Sequence, residues 1–250
     1  MESLKPIILN NTTLFSEDSF SIIAGPCAVE DAESLWQTAQ FLKENGVKML
    51  RGGVNKLRTS PKSFQGNGVE AVHLLSKTAK EFNLFSVTEV ICETEIDFLM
   101  EYIDIFVVGT RNMYNYRLLK ELGKTDKPII LKRGMCATIE EWILAAEYLL
   151  QNGNDKVILC ERGIRTFENK MRYTFDLASA VYVKQRYPYY IITDPSHATG
   201  MNSLVIPMAM ASHTVKMHGV MIEIHPLPEK SKCDAEQMLN FQEFKKFLDK

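Results

Sequence analysis

Four side chains in this sequence form a mixed donor set. They are Cys27 in "IIAGPCAVE", His197 in "DPSHATG", Glu223 in "MIEIHP" and Asp234 shortly after it. One sulfur, one nitrogen and two carboxylates suit a divalent first-row transition ion better than Mg²⁺ or Ca²⁺. An open coordination position at such a centre would make it catalytic rather than structural. The residues leave alternatives open. His225 lies two positions from Glu223 and is a rival ligand; Cys233 adjoins Asp234 and is a rival thiol. Cys27 could also be a covalent nucleophile with His197 as its base, or a small buried apolar residue.

A second constellation is cationic. Arg51, Lys56, Arg58, Arg111, Lys132, Arg162 and Arg165 all follow short apolar runs, although the chain as a whole carries a net charge of −2. Gathered at one mouth, these cations would repel one another unless the ligand were strongly anionic. Arginine offers bidentate geometry to phosphate and carboxylate, and lysine a compact charge. Gly52, Gly53, Gly134 and Gly163 follow the cations closely and let backbone N–H groups approach a phosphate. The expected ligand carries more than one phosphate or carboxylate.

Elements must bring these residues together. Eight β-rich runs, at 21–26, 47–53, 84–90, 105–110, 128–134, 156–163, 190–195 and 220–226, alternate with amphipathic segments. Their near-continuous apolar character fits strands buried on both faces. Eight β-then-α units predict an α/β fold, a (β/α)8 TIM barrel, with the site at the C-terminal strand ends. In a closed barrel the first, seventh and eighth strands are neighbours, so the four donors can converge. The competing fold is an open doubly wound sheet. No linker divides the 250 residues, so one catalytic barrel over 20–250 is expected, with 1–19 as a short N-terminal extension, a small plug or hairpin. Thr138 to Glu141 reads as a capping box, and Ala235 to Lys250 as the last helix.

Composition excludes several classes. The charge balance gives no electrostatic case for nucleic acid or an acidic membrane, and no apolar run approaches the ~20 residues of a membrane span. The five cysteines are widely spaced with no CxxC pair, which argues against a disulfide framework or structural zinc and for a reducing cytoplasm.

The motifs "AGPCAVE", "VTEV", "RNM", "LCERGIRTFE", "DPSHATG" and "MIEIHP.PEK…D..Q", with "LRGG" leading to "RTSP.SFQG" and "LKRGM.ATIEEW", resemble the 3-deoxy-D-arabino-heptulosonate 7-phosphate (DAHP) synthases. The short microbial group, type Iβ, is the nearest, and the likeness runs from about Ser21 to the C-terminus. The resemblance implies a TIM barrel that condenses phosphoenolpyruvate with erythrose 4-phosphate at the head of the shikimate pathway. It implies Cys27, His197, Glu223 and Asp234 as ligands of a divalent ion (Mn, Fe, Co or Zn). It implies that Arg51, Lys56, Arg111, Lys132 and Arg162 hold phosphoenolpyruvate, with Glu89 nearby, and that Arg58 and Thr59 hold the aldose phosphate. Lys132, Glu89 and His197 are the candidates for catalytic roles. A homodimer or homotetramer, and a separate chorismate mutase as partner, follow from the same resemblance.

The sequence departs from the family pattern in three places. Asn55 and Leu57 flank Lys56 where the family has phenylalanine and proline; Thr110 stands in the usual "GARNM"; Met201-Asn202 replaces a basic pair. All three bear on the acceptor sugar more than on the ion or the enolpyruvate. The alternatives are therefore a sibling synthase with another acceptor, arabinose 5-phosphate or a specialised aldehyde, and a catalytically silent metabolite-binding barrel. The regulatory extensions of some relatives find no counterpart in the chain, so feedback through such a domain is not expected.

Overall fold

A computed structural model describes residues 4–250; residues 1–3 of the 1–19 extension lie outside the described residues. The chain opens with an antiparallel hairpin of β1 (Ile7–Leu9) and β2 (Thr12–Phe15). Its two turn residues, Asn10 and Asn11, have φ of 46° and 59°, the left-handed pair that a tight hairpin turn demands.

Among the described residues, eight parallel strands then close into a barrel. They are β3 (Ser21–Gly25), β4 (Met49–Arg51), β5 (Phe85–Val90), β6 (Ile105–Val108), β7 (Ile129–Lys132), β8 (Val157–Glu161), β9 (Tyr190–Thr193) and β10 (Gly219–Glu223). Each coincides with one of the eight apolar runs, β10 starting one residue ahead of its run. β10 pairs with β3 on one side and β9 on the other, so closure is direct and the open-sheet alternative is excluded. The intervening helices are α1 (Ala32–Glu44), α2 (Gly68–Glu81), α3 (Ile96–Tyr102), α4 (Tyr116–Gly123), α5 (Ile139–Gln151), α6 (Leu177–Arg186), α7 (Pro195–Thr199) and α8 (Asn202–Thr214), with α9 (Phe241–Leu248) last. The Thr138–Glu141 capping box is present at the start of α5.

Alternation along the strands builds two cores. Ala24, Leu50, Phe106, Leu131 and Ile222 face outward against the helices, whereas Ile23, Met49, Ile105, Ile130 and Met221 fill the barrel interior with Phe15 of the hairpin. Gly25 ends β3 with φ +148°, and a Cβ there would stand 2.1 Å from the Arg51 carbonyl oxygen. Only glycine lets β3 and β4 meet there, and Pro26 then turns the chain so that Cys27 lies at the mouth.

The last helix is shorter than the sequence suggests. Asp234 takes a left-handed conformation, a single 3₁₀ turn covers Ala235–Gln237, and α9 starts only at Phe241, capped by Asn240. Leu239 pairs with Ile224 beyond the end of β10. That pairing draws 234–239 over the barrel mouth instead of into a helix. No helix among the described residues is long and apolar enough to cross a membrane.

Candidate active site

The site forms where β3, β9 and β10 end. Cys27, His197, Glu223 and Asp234 each place one donor atom so that all lie within 4.8 Å of one another. Cys27 and Glu223 are fully buried. α7 positions the imidazole: Asp194 caps it, accepting from the His197 backbone N–H at 3.0 Å while its other oxygen meets His197 Nδ1 at 2.8 Å. Burial opposes the Asp194 charge, but the His197 ring and the Lys132 ammonium (2.7 Å away) overcome it and hold the carboxyl well below the usual carboxylate range. Asp194 is therefore an acceptor, and it fixes the proton of a neutral imidazole on Nδ1. Burial pushes His197 down to about 4, so the ring is neutral at pH 7.

His197 Nε2 then presents a lone pair to Glu223 Oε1, 3.2 Å away. That oxygen is buried with no hydrogen-bond donor of its own, although the Arg51 guanidinium stands 3.2 Å from it. Burial opposes the Glu223 charge; a protonated His197 ring and the Arg51 guanidinium draw its carboxyl below the usual value, and with the ring neutral Arg51 carries that pull. Two acceptors facing one another beside a thiol and a second carboxylate fit a divalent ion between them, and the S/N/O₂ set suits a transition ion. Burial raises the Cys27 thiol well above its ordinary value, whereas a nucleophilic cysteine needs the opposite shift. Cys233 Sγ lies 2.9 Å from Cys27 Sγ, and Arg58 Nη1 donates to it at 3.1 Å. His225 is outside the group: its Nδ1 accepts from the Leu227 backbone N–H.

Next to the donors lies a cavity of about 230 Å³, lined among others by Lys56, Arg58, Glu89, Arg111, Lys132 and Arg162. Arg51 sits deeper, in a small annex shared with Lys56, Glu89 and Lys132. Arg51 Nε and Nη1 and Arg162 Nη1 are buried without a hydrogen-bond acceptor. Buried guanidinium nitrogens are normally paired, so these three define an anion cup. Lys56 Nζ donates to both the carbonyl and the sulfur of Cys27, which joins the cup to the donor group. Thr59 lies on the rim, where Arg111 Nη2 donates to its hydroxyl at 3.3 Å.

The structure departs from the sequence reading at Arg165, which is exposed and lines no part of this cavity. Its backbone N–H goes to the Met135 carbonyl, and that register turns the side chain outward. Four contributors escaped the sequence reading: Asp194, Arg172, Tyr173 and Gln237. Arg172 and Tyr173 line the cavity, and Arg172 Nη1 is 3.3 Å from Asp234 Oδ2. Gln237 stood in the "D..Q" motif, a signal that by itself gives no role.

A family model described as the DAHP synthetase I family matches residues 7–250. A phospho-2-dehydro-3-deoxyheptonate aldolase of Thermotoga maritima is 47% identical over 229 residues, covering 92% of this chain and 68% of that one. A solved structure of a Thermotoga maritima protein of that name superposes with a TM-score of 0.95 at 44% identity, over 99% of this chain and 72% of that chain. A 2-dehydro-3-deoxyphosphooctonate aldolase of Syntrophobacter fumaroxidans is 25% identical over 249 residues, covering 92% of this chain and 85% of that one.

Proposed function

The chain belongs to the DAHP synthetase I family, and on that footing we propose that it is a 3-deoxy-7-phosphoheptulonate synthase, a transferase that condenses phosphoenolpyruvate with erythrose 4-phosphate and releases inorganic phosphate. The observation that carries the reading is the pairing of a four-residue donor group with orphaned guanidinium nitrogens in one buried cup. Identity of 47% to a heptulosonate enzyme against 25% to an octulosonate one favours erythrose 4-phosphate over arabinose 5-phosphate.

Cys27, His197, Glu223 and Asp234 would hold the ion, and the thiol together with the imidazole favours Mn, Fe, Co or Zn. A bound divalent ion supplies Lewis-acid polarisation of the aldehyde carbonyl. Arg51, Lys56, Arg111, Lys132 and Arg162 bind the phosphate and carboxylate of phosphoenolpyruvate and turn its C3 toward the aldehyde carbon. Arg58 and Thr59, at the rim, hold the acceptor phosphate. Bringing two anions together is the main barrier these cations lower. As water adds at C2 and phosphate leaves, Lys132 Nζ and a Glu89 carboxylate oxygen are the cavity groups placed to give and take protons. His197 acts as a neutral donor whose orientation Asp194 sets. Residues 1–19 serve as an extension to the catalytic barrel of 20–250. A homodimer or homotetramer, a cytoplasmic setting and a separate chorismate mutase partner belong to the same reading.

The test is phosphate release from phosphoenolpyruvate with a panel of aldose phosphates, with and without a chelator. Erythrose 4-phosphate is expected to be the preferred acceptor. Chelation is expected to abolish turnover and added divalent ion to restore it. Preference for arabinose 5-phosphate would move the assignment to the sibling activity. No release with any acceptor would make the barrel a binding protein.

A further inference from the structure

Gln237 is 2% exposed and sits on the 3₁₀ turn that follows the left-handed Asp234. A buried amide has four hydrogen-bonding positions to satisfy, and here both ends meet the site. Its Nε2 donates to Glu223 Oε2 at 2.5 Å. Its Oε1 accepts from Arg172 Nη1 at 3.0 Å. A carboxylate on one side and a guanidinium on the other allow one orientation of the amide, so the flip ambiguity usual for glutamine does not arise. The same Arg172 nitrogen reaches Asp234 Oδ2, so one rim arginine ties the amide to a second member of the donor group. The turn itself is pinned: Leu239 N–H donates to the Glu223 carbonyl at 3.0 Å, and His225 N–H to that of Leu239.

We propose that Gln237 is the positioning residue of the metal group: held by Arg172, its amide fixes Glu223 Oε2 and so keeps Oε1 turned toward His197 Nε2 and the common point of the four donors. This rests on the reading that those donors bind a divalent ion. Without the amide, the Glu223 carboxylate can rotate toward Arg51, whose Nη2 is already 3.2 Å from Oε1, and the donor set loses one member. Hydrogen-bond partners of ligands set affinity by about 10–100-fold.

The experiment measures Co²⁺ and Mn²⁺ dissociation constants by competition with a chromogenic chelator, without substrates, for the wild type, Gln237→Met and Gln237→Glu. Both variants conserve volume. Gln237→Met removes the donor. Gln237→Glu keeps the acceptor for Arg172 but sets an oxygen against Glu223 Oε2. Each is expected to bind the ion about 10–100-fold more weakly. In both variants the metal-free thermal midpoint is expected to fall, because buried partners lose a hydrogen bond, and the rise on adding ion is expected to shrink as well. A merely structural glutamine would lower the metal-free midpoint in the same way but leave ion affinity and the rise on adding ion unchanged. If Gln237→Met does not fold, Gln237→Glu carries the test. A folded variant that binds either ion within twofold of the wild type overturns the proposal, as does a wild type that binds neither. A wild type that binds the ion but releases no phosphate sinks the synthase reading and leaves the role of Gln237 intact.

Discussion

The Arg162 guanidinium lies over the Tyr173 ring, 4.3 Å from its centroid, and its Nη2 donates to the His197 carbonyl at 3.2 Å. Backbone bonds from Arg172 and Tyr173 to the Thr199 and Ala198 carbonyls fasten this segment to α7. The ring therefore serves as a floor under a cation of the anion cup. A desolvated cation–π contact is worth about 0.5–2 kcal/mol, so Tyr173→Leu should raise the KM for phosphoenolpyruvate roughly 2–30-fold with little change in kcat. Tyr173→Phe should behave as the wild type. Steady-state kinetics of the two variants decide this, and an unchanged KM in Tyr173→Leu would refute the role of the ring. Cys27, His197 and the strand-end cations were legible because cysteine and histidine are scarce and charge is unusual after apolar runs. Asp194 and Tyr173 were not. An aspartate before Pro-Ser-His reads as a helix cap, which it is, and its second task shows only once Lys132 and His197 converge on it. A tyrosine in a long loop carries no address.

Between residue and barrel, the joint at the N-terminal ends of β9 and β10 depends on one imidazole. His218 N–H donates to the Ile191 carbonyl, and His218 Nδ1 accepts from the Ile191 N–H at 2.9 Å. Protonation would turn that acceptor into a donor. Burial pushes His218 down to about 4, with Lys184 adding to the shift and Glu17 opposing it. Its ordinary value in the unfolded chain is 6.5. Between those values the unfolded chain binds more protons than the folded one, so stability rises with pH. The contribution is complete above pH 6.5, declines as pH falls toward 4, and is gone below that, a loss of up to ~3 kcal/mol. Urea midpoints of metal-free wild type and His218→Gln across this window should show a shallower pH slope in the variant, whose amide oxygen accepts at any pH. Parallel slopes would rule the imidazole out. The β elements were readable from apolar runs because parallel strands are buried on both faces. The final helix was not, because nothing in "KCDAEQMLNF" announces that Asp234 will turn left-handed and that Leu239 will pair with Ile224.

Across the whole molecule the barrel has two unlike ends. The C-terminal mouth is charged and carries the site. The N-terminal mouth is apolar and is covered by the β1–β2 hairpin, whose Ile7, Leu14 and Phe15 join Met49, Phe85 and Ile105 at the starts of their strands. The Tyr190 hydroxyl donates to the Lys5 carbonyl, and Ser21 Oγ to that of Leu14. The sequence marked these residues as an extension, a small plug or hairpin ahead of the first barrel strand, but a two-stranded hairpin is too short to signal which mouth it will cover. Phe15 is fully buried, with its ring 5.8 Å from that of Tyr190. Truncation of such a side chain leaves a cavity and costs about 3–5 kcal/mol, a large part of a domain's net stability. Yet no atom of the hairpin lines the catalytic cavity. Phe15→Ala should therefore unfold at markedly lower denaturant concentration while keeping wild-type kcat and KM at temperatures well below its transition. Denaturation curves and kinetics on the same preparation separate the two effects. If turnover collapses while the fold is retained, the two mouths are coupled through the strands, and the division of labour between a stabilising end and a reacting end does not hold for this barrel.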